Sequence, residues 1–398
     1  MKAKQLVVIG GGYAGVLAAV RAARRGRGRV RVTLLSERPR LVERIRLHEL
    51  AASGRSVTRP LAALLAGSGV ELEVTRVLGV DDRGGRVDTQ AGSRRFDAAI
   101  VAVGSRTASS IPGAEHASGI DLEAASALFR ALARAPRGRR VLVVGGGLSG
   151  IELAAELGGS DVEASVTLAT SGELAAQLSS AARREILSRL EALGVRVLEH
   201  TPVHGLEPSR ALVDGGELPF DHAVVSSGFR AAPLLADSGL EVDALGRVPV
   251  DAALRAIGQQ RVFVAGDAAR VELGAGPLAM GCKTAMPLGA HAADAAVALL
   301  GGAPLPSFTW RDTGSCVSLG RHRGVIQGVD ARGSSPDRVV RGRLAALLKE
   351  LVCRYTLASI HVERVGLFSY RWPSSVPSRR LALGAPVHAS SSVEGDAR

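Results

Sequence analysis

One glycine pattern occurs twice in this chain, and it limits the folds open to it more than any other feature. Gln5 to Ile9 read as a short buried strand. Gly10-Gly11-Gly12-Tyr13-Ala14-Gly15 follows, then an alanine-rich helix to about Arg25. Arg140 to Val144 read as another strand, Gly145-Gly146-Gly147-Leu148-Ser149-Gly150 as its turn, Ile151 to Leu157 as the opening of a helix, and Ala164 to Ala169 as the next strand. In G-x-G-x-x-G the first glycine permits the tight turn, the second lets backbone approach a pyrophosphate, and the third lets helix and strand pack closely. The free N–H groups of the helix start then face the phosphates. Two such units imply an α/β chain with two Rossmann-like dinucleotide-binding domains and a smaller C-terminal α+β segment. The expected boundaries are 1–111 and 230–305 for the two parts of the first domain and 112–229 for the second. A C-terminal segment would cover 306–373 and a disordered tail 374–398.

The two fingerprints differ at the end of the following strand. Arg31 to Leu35 lead to Ser36-Glu37, and Glu37 stands 22 residues after Gly15, where an acid can accept hydrogen bonds from both ribose hydroxyls. The second unit ends in Ala169-Thr170-Ser171, with no acid until Glu173. That site leaves NADH and NADPH both open, with Thr170 as the expected contact. Phe96 to Gly104 and Phe220 to Gly228 are strands ending in small-residue turns. Arg261 to Asp267 is a strand delivering Asp267 after Gly266; the plainer reading of Asp267 is a helix N-cap.

Composition narrows the function classes. The net charge is +12, and 46 of the 50 basic residues are arginines; Lys2, Lys4, Lys283 and Lys349 are the lysines. The arginines are spread rather than blocked, which fits a compositional bias, and aromatics at 3% argue against a stacking platform for nucleic acid. Cys282, Cys316 and Cys353 form no CxxC pair and the histidines no HExxH, so no metal is assigned. Few scattered cysteines suit a cytoplasmic protein. No apolar run is long enough to span a bilayer. Lys2 and Lys4 precede apolar residues as in a signal peptide, but the fingerprint glycines interrupt that run. Near the C-terminus, Ser315 to Leu319 and Gly324 to Gln327 read as a strand pair. Leu344, Leu347, Leu348, Leu351, Val352 and Tyr355 then recur at helical spacing. That basic amphipathic helix, 341–355, would pack on the chain's own domains or on a second copy in a homodimer, or else lie peripherally on an anionic membrane. His361 to Tyr370 reads as a further strand.

The order of these motifs resembles the flavoproteins with two dinucleotide-binding domains, and within them the type II NADH dehydrogenase branch, including its bacterial relatives of unassigned acceptor. The resemblance covers roughly residues 4 to 330 and includes Arg44 to Ala52 and Ile111-Pro112-Gly113-Ala114. It implies FAD at the first fingerprint and NAD(P)H at the second. It places Gly10, Gly12, Ala14 and Gly15 at the FAD pyrophosphate, Glu37 at its ribose and Val77 at its adenine. Gly266 and Asp267 fall at the ribityl chain, with Arg46, Gly104 and Thr284 also on the flavin side. Gly145, Gly147, Ser149 and Gly150 face the NAD(P)H pyrophosphate, and Glu152 positions the nicotinamide. The alternative for Glu152 is a helix-surface carboxylate. The redox CxxxxC of disulfide reductases is missing after Glu37, and the cysteines read mainly as packed core thiols. Both glutamines of quinone-reducing members appear replaced, by Lys283 and Pro287. Lys283 is then expected at the flavin pyrimidine edge, where a cation stabilises reduced flavin; its alternative is a solvated cation. The implied function is an FAD-dependent NAD(P)H:acceptor oxidoreductase whose small-molecule acceptor is a quinone or an organic metabolite. A tailoring flavoenzyme and a redox sensor that binds a partner or nucleic acid stay open as alternatives.

Overall fold

The computed structural model describes residues 3–134, 138–274, 276–330 and 336–374. Of the expected tail, all but Ser374 lies outside them. Two parallel sheets organise the chain. The first has the strand order Val262–Val264, Ala98–Val101, Lys4–Ile9, Val30–Ser36, Glu71–Val74. The second runs Arg196–Leu198, Ser165–Ala169, Arg140–Val144, His222–Val225. In each, the fingerprint strand is paired on both edges, by its successor and by a later strand, and helices cover the faces. That explains the continuous apolar runs: Leu6, Val7, Val8 and Ile9 are at most 3% exposed, and Val141, Leu142 and Val143 at most 1%.

Helices fill the faces. The helix Tyr13–Gly26 follows the first fingerprint and packs closely on the helix Cys282–Leu300. The approach is set by Gly289, where a Cβ would lie 2.2 Å from the Ala14 carbonyl oxygen. Any larger residue would push the two helices apart, so this glycine serves packing rather than a turn. The helix Leu148–Gly158 follows the second fingerprint.

The C-terminal part begins with the expected strand pair, Gly314–Ser318 against Gly324–Gly328, to which Val339–Arg341 adds a third antiparallel strand. The helix after it departs from expectation twice. It runs from Gly342 to Val365 and is closed by Gly366 in a left-handed conformation, so His361 to Val365 are its last residues rather than part of a strand. Tertiary pairing overrides the local β-branched pattern. Glu363 is fully buried against Arg21, 3.2 Å away, and Arg21 also pairs with Asp294 at 2.7 Å. The helix is also rotated. Its buried side carries Ala345, Cys353, Ile360 and Glu363, while Leu344, Leu347, Leu351, Val352 and Tyr355 are 50–58% exposed. The leucine-rich face therefore does not pack on the chain's own domains.

Candidate active site

A continuous cavity of about 1200 Å³ joins the two fingerprints. The turns are built alike. Gly10 has φ +116° and Gly145 φ +123°, a region that only glycine enters easily. A Cβ on Gly15 would lie 1.9 Å from the Gly10 oxygen, and one on Gly150 would lie 2.1 Å from the Gly145 oxygen. At Gly12 and Gly147 a Cβ would meet nothing within 4 Å. Both glycines are helix N-caps with no side-chain cap, so the first-turn N–H groups point at open space. Each turn therefore fits a diphosphate by its backbone alone.

The other expected cofactor residues fall in several places. Ala14, Gly104, Ser149, Thr170, Gly266 and Asp267 line the cavity. Asp267 is no N-cap. Its two oxygens accept from Ser105 Oγ at 2.6 Å and from the Gly281 N–H at 2.8 Å, tying the first small-residue turn to the start of the helix Cys282–Leu300. Glu37 ends its strand 64% exposed, 3.5 Å from Arg76, and Val77 opens the nearby strand Val77–Asp81. Thr284 is buried, its hydroxyl donating to the Gly281 carbonyl at 2.9 Å. Arg46 is 3% exposed and held among three carboxylates: Glu43 at 3.4 Å, Glu49 at 2.7 Å and Glu350 at 2.8 Å. The cavity wall beside it is formed instead by Arg44 and His48. Lys283 reaches the cavity, but its ammonium is 2.8 Å from Asp312 and lies over the Trp310 ring.

Glu152 is not a surface carboxylate. Its side chain is 12% exposed, accepts from the Ser318 N–H at 2.9 Å, pairs with Lys349 and faces His48 Nδ1 at 3.9 Å. Burial pushes its pKa up, but the Lys349 ammonium and His48 outweigh that and hold the carboxyl below its usual range. His48 is itself held below its ordinary value, chiefly by burial. Lys349 also donates to the Cys316 carbonyl at 3.2 Å. The C-terminal helix thus inserts its one lysine between the two halves of the site, a contact across 197 residues that sequence reading missed. The available signal was a single lysine within an apolar helical repeat.

Two more groups gather here. Both tryptophans and all three tyrosines of the chain (Trp310, Trp372, Tyr13, Tyr355 and Tyr370) line this cavity. Tyr370 and Trp372 are stacked at 6.2 Å, and Tyr355 lies 6.3 Å from Tyr370. All three cysteines line it as well; Cys282 is open to the cavity rather than packed in the core. Burial raises the Cys282 thiol to about 11 and the Cys353 thiol to about 12, so both stay protonated near neutrality.

Known proteins resemble this chain in sequence and in fold. An NADH dehydrogenase-like protein of Mycobacterium tuberculosis is 32% identical over 317 residues, covering 72% of this chain and 78% of that protein. The demethylphylloquinone reductase of Synechocystis is 26% identical over 370 residues, 87% of this chain and 92% of its own. The sulfide:quinone oxidoreductase structure from Aquifex aeolicus superposes with a TM-score of 0.76 at 21% identity, covering 92% of each chain. Over residues 4–296 the chain matches the model of the pyridine nucleotide-disulphide oxidoreductases, and it belongs to that family as an NADH dehydrogenase-like member.

Proposed function

We propose that this chain is an FAD-dependent NAD(P)H:quinone oxidoreductase that works at a membrane surface. The observation that carries the acceptor is the aromatic wall. In a chain with 3% aromatic residues, every tryptophan and tyrosine lines the cavity shared by the two nucleotide turns. Such a wall favours a flat, uncharged ring. The names of the relatives support the same acceptor class, despite the replaced glutamines at Lys283 and Pro287.

When bound, a flavin takes hydride from a reduced nicotinamide and returns the electrons to an acceptor. The chain supplies placement. The N–H groups after Gly12 would hold the FAD diphosphate and those after Gly147 the nicotinamide nucleotide's. Glu37 would accept from the FAD ribose hydroxyls. Glu152, kept ionised by Lys349, would orient the nicotinamide side of the cavity rather than take a proton.

Membrane contact rests on the C-terminal helix. Leu344, Leu347 and Leu351 are exposed beside Arg343 and Arg354, and two members of the same face, Val352 and Tyr355, also line the cavity. A lipid-borne quinone would enter along that face. No helix among the described residues is long and apolar enough to cross a membrane, so the contact proposed is peripheral. We also propose the domain limits 1–111 with 230–305, 112–229 and 306–373.

The test is steady-state NADH oxidation by the purified holoprotein with a soluble naphthoquinone and, separately, ferricyanide. Tyr355→Ala should raise the quinone KM about tenfold, the order of one aromatic contact, with ferricyanide turnover within about twofold. No quinone turnover by the unmodified protein would refute the reading.

A further inference from the structure

The internal likeness of the two nucleotide units shows which residue of the second corresponds to Glu37 of the first. In the first unit Ile9 lies opposite Leu35, and the Gly10 N–H donates to the Leu35 carbonyl at 2.8 Å. In the second, Val144 lies opposite Ala169, and the Gly145 N–H donates to the Ala169 carbonyl at 2.8 Å. Leu35 therefore corresponds to Ala169, Ser36 to Thr170, and Glu37 to Ser171.

Two independent contacts fix the same register. A Cβ on Gly11 would meet Ser36 Oγ at 2.4 Å, and a Cβ on Gly146 would meet Thr170 Oγ1 at 2.6 Å. The Ser36 carbonyl accepts from the Thr75 N–H at 2.9 Å, and the Thr170 carbonyl accepts from the Thr201 N–H at 2.8 Å. Thr170 is thus a buried packing residue against the glycine turn, 8% exposed, as Ser36 is at 5%. The position that an acid occupies in the first unit is held by Ser171, whose exposed side chain lines the cavity.

We infer that Ser171 sets the nucleotide preference and that the second site accepts NADPH as readily as NADH. The proposal rests on the functional reading above and names the substrate class of its second site. A carboxylate at this position binds two ribose hydroxyls and repels a 2′-phosphate. A serine hydroxyl hydrogen-bonds either group and repels neither. The neighbouring acids are turned to other work. Glu199 is held by Arg183 through both oxygens at 2.6 Å, and Glu173 is 58% exposed and 4.0 Å from the same guanidinium. Neither lines the cavity, whereas Thr201 and Gln177 beside Ser171 do, and both are uncharged.

The experiment is a calorimetric titration of the oxidised holoprotein with NADP+ and NAD+, followed by anaerobic flavin reduction with NADPH and NADH. The unmodified protein should bind the two within about tenfold and be reduced by both. Ser171→Glu should weaken NADP+ about thirtyfold while leaving NAD+ within about threefold. Ser171→Arg should tighten NADP+. Thr170→Glu should weaken both alike, because it lodges against Gly146. A hundredfold preference for NAD+ in the unmodified protein, or a Ser171→Glu variant that weakens both equally, overturns the inference while leaving the oxidoreductase reading intact. Binding of neither nucleotide overturns both.

Discussion

At the scale of single residues, the buried pair of Lys349 and Glu152 is where a small change should cost most. Removing one partner of a buried ion pair leaves the other charge uncompensated, which costs about 3–5 kcal/mol. Lys349→Met should therefore lower the denaturation midpoint sharply. The double change Lys349→Met with Glu152→Gln should recover most of the loss, since both charges then leave together; guanidinium titrations of the three variants measure this. Glu37 is different in kind. It is exposed and held only by Arg76 at 3.5 Å, so Glu37→Ala should leave stability nearly unchanged. It should weaken FAD retention about tenfold, the value of one charge-assisted hydrogen bond or so, as read by equilibrium dialysis of the yellow protein. The fingerprint glycines were legible in the sequence because their chemistry is local: a positive φ, a close approach, an open helix start. Lys349 and His48 were not, since each meets Glu152 only through the tertiary fold. The end of the second ribose-side strand was legible in the sequence, but matching Ser171 rather than Thr170 to Glu37 needed the strand register.

At the scale of elements, the C-terminal helix carries the largest departure from its sequence pattern. Its leucines repeat as a core-facing stripe would, and the expected strand at His361 to Tyr370 has β-branched residues. The helix turns the other way because its buried side makes specific pairings. Glu363 meets Arg21, Lys349 meets Glu152, and Glu350 meets Arg46. Periodicity reports a face's polarity, not what lies opposite it, so an exposed apolar stripe reads like one packed in a core. Leu347 and Leu351 do not line the cavity, so changing them tests the proposed membrane contact apart from the chemistry. Leu347→Glu with Leu351→Glu should reduce sedimentation with anionic phosphatidylglycerol vesicles at least thirtyfold, each lost leucine contributing about 1 kcal/mol and each new charge adding repulsion. Turnover with a water-soluble quinone should stay within about twofold. Equal loss of both would mean that the stripe supports the fold instead.

At the scale of the whole molecule, acid should be destabilising from near pH 6.5 downward. His48 is kept below its ordinary value by burial, so the unfolded chain takes up that proton first and stability falls as pH drops through about 6.5. Glu152 is also lowered, and Glu350 is brought down to about 2 despite partial burial, by hydrogen bonds from Arg46 and Arg354. Their contributions are complete above pH ~4.5 and are lost as pH falls through the folded values. Glu156, raised by burial, acts with the opposite sign, but it is one group against many, His291, Asp221 and Glu199 also being lowered. A net charge of +12 adds self-repulsion as carboxylates protonate. Thermal midpoints measured from pH 8 to pH 4 should therefore decline with a steeper limb below about pH 4.5. On the proposed function, one cavity serves a nicotinamide donor and a quinone acceptor in turn. Anaerobic stopped-flow absorbance separates the two halves. One equivalent of NADH or NADPH should bleach the flavin band, and one equivalent of a soluble naphthoquinone should then restore it in a single fast phase. Bleaching followed by restoration only with oxygen or ferricyanide, and never with quinone, would contradict that function.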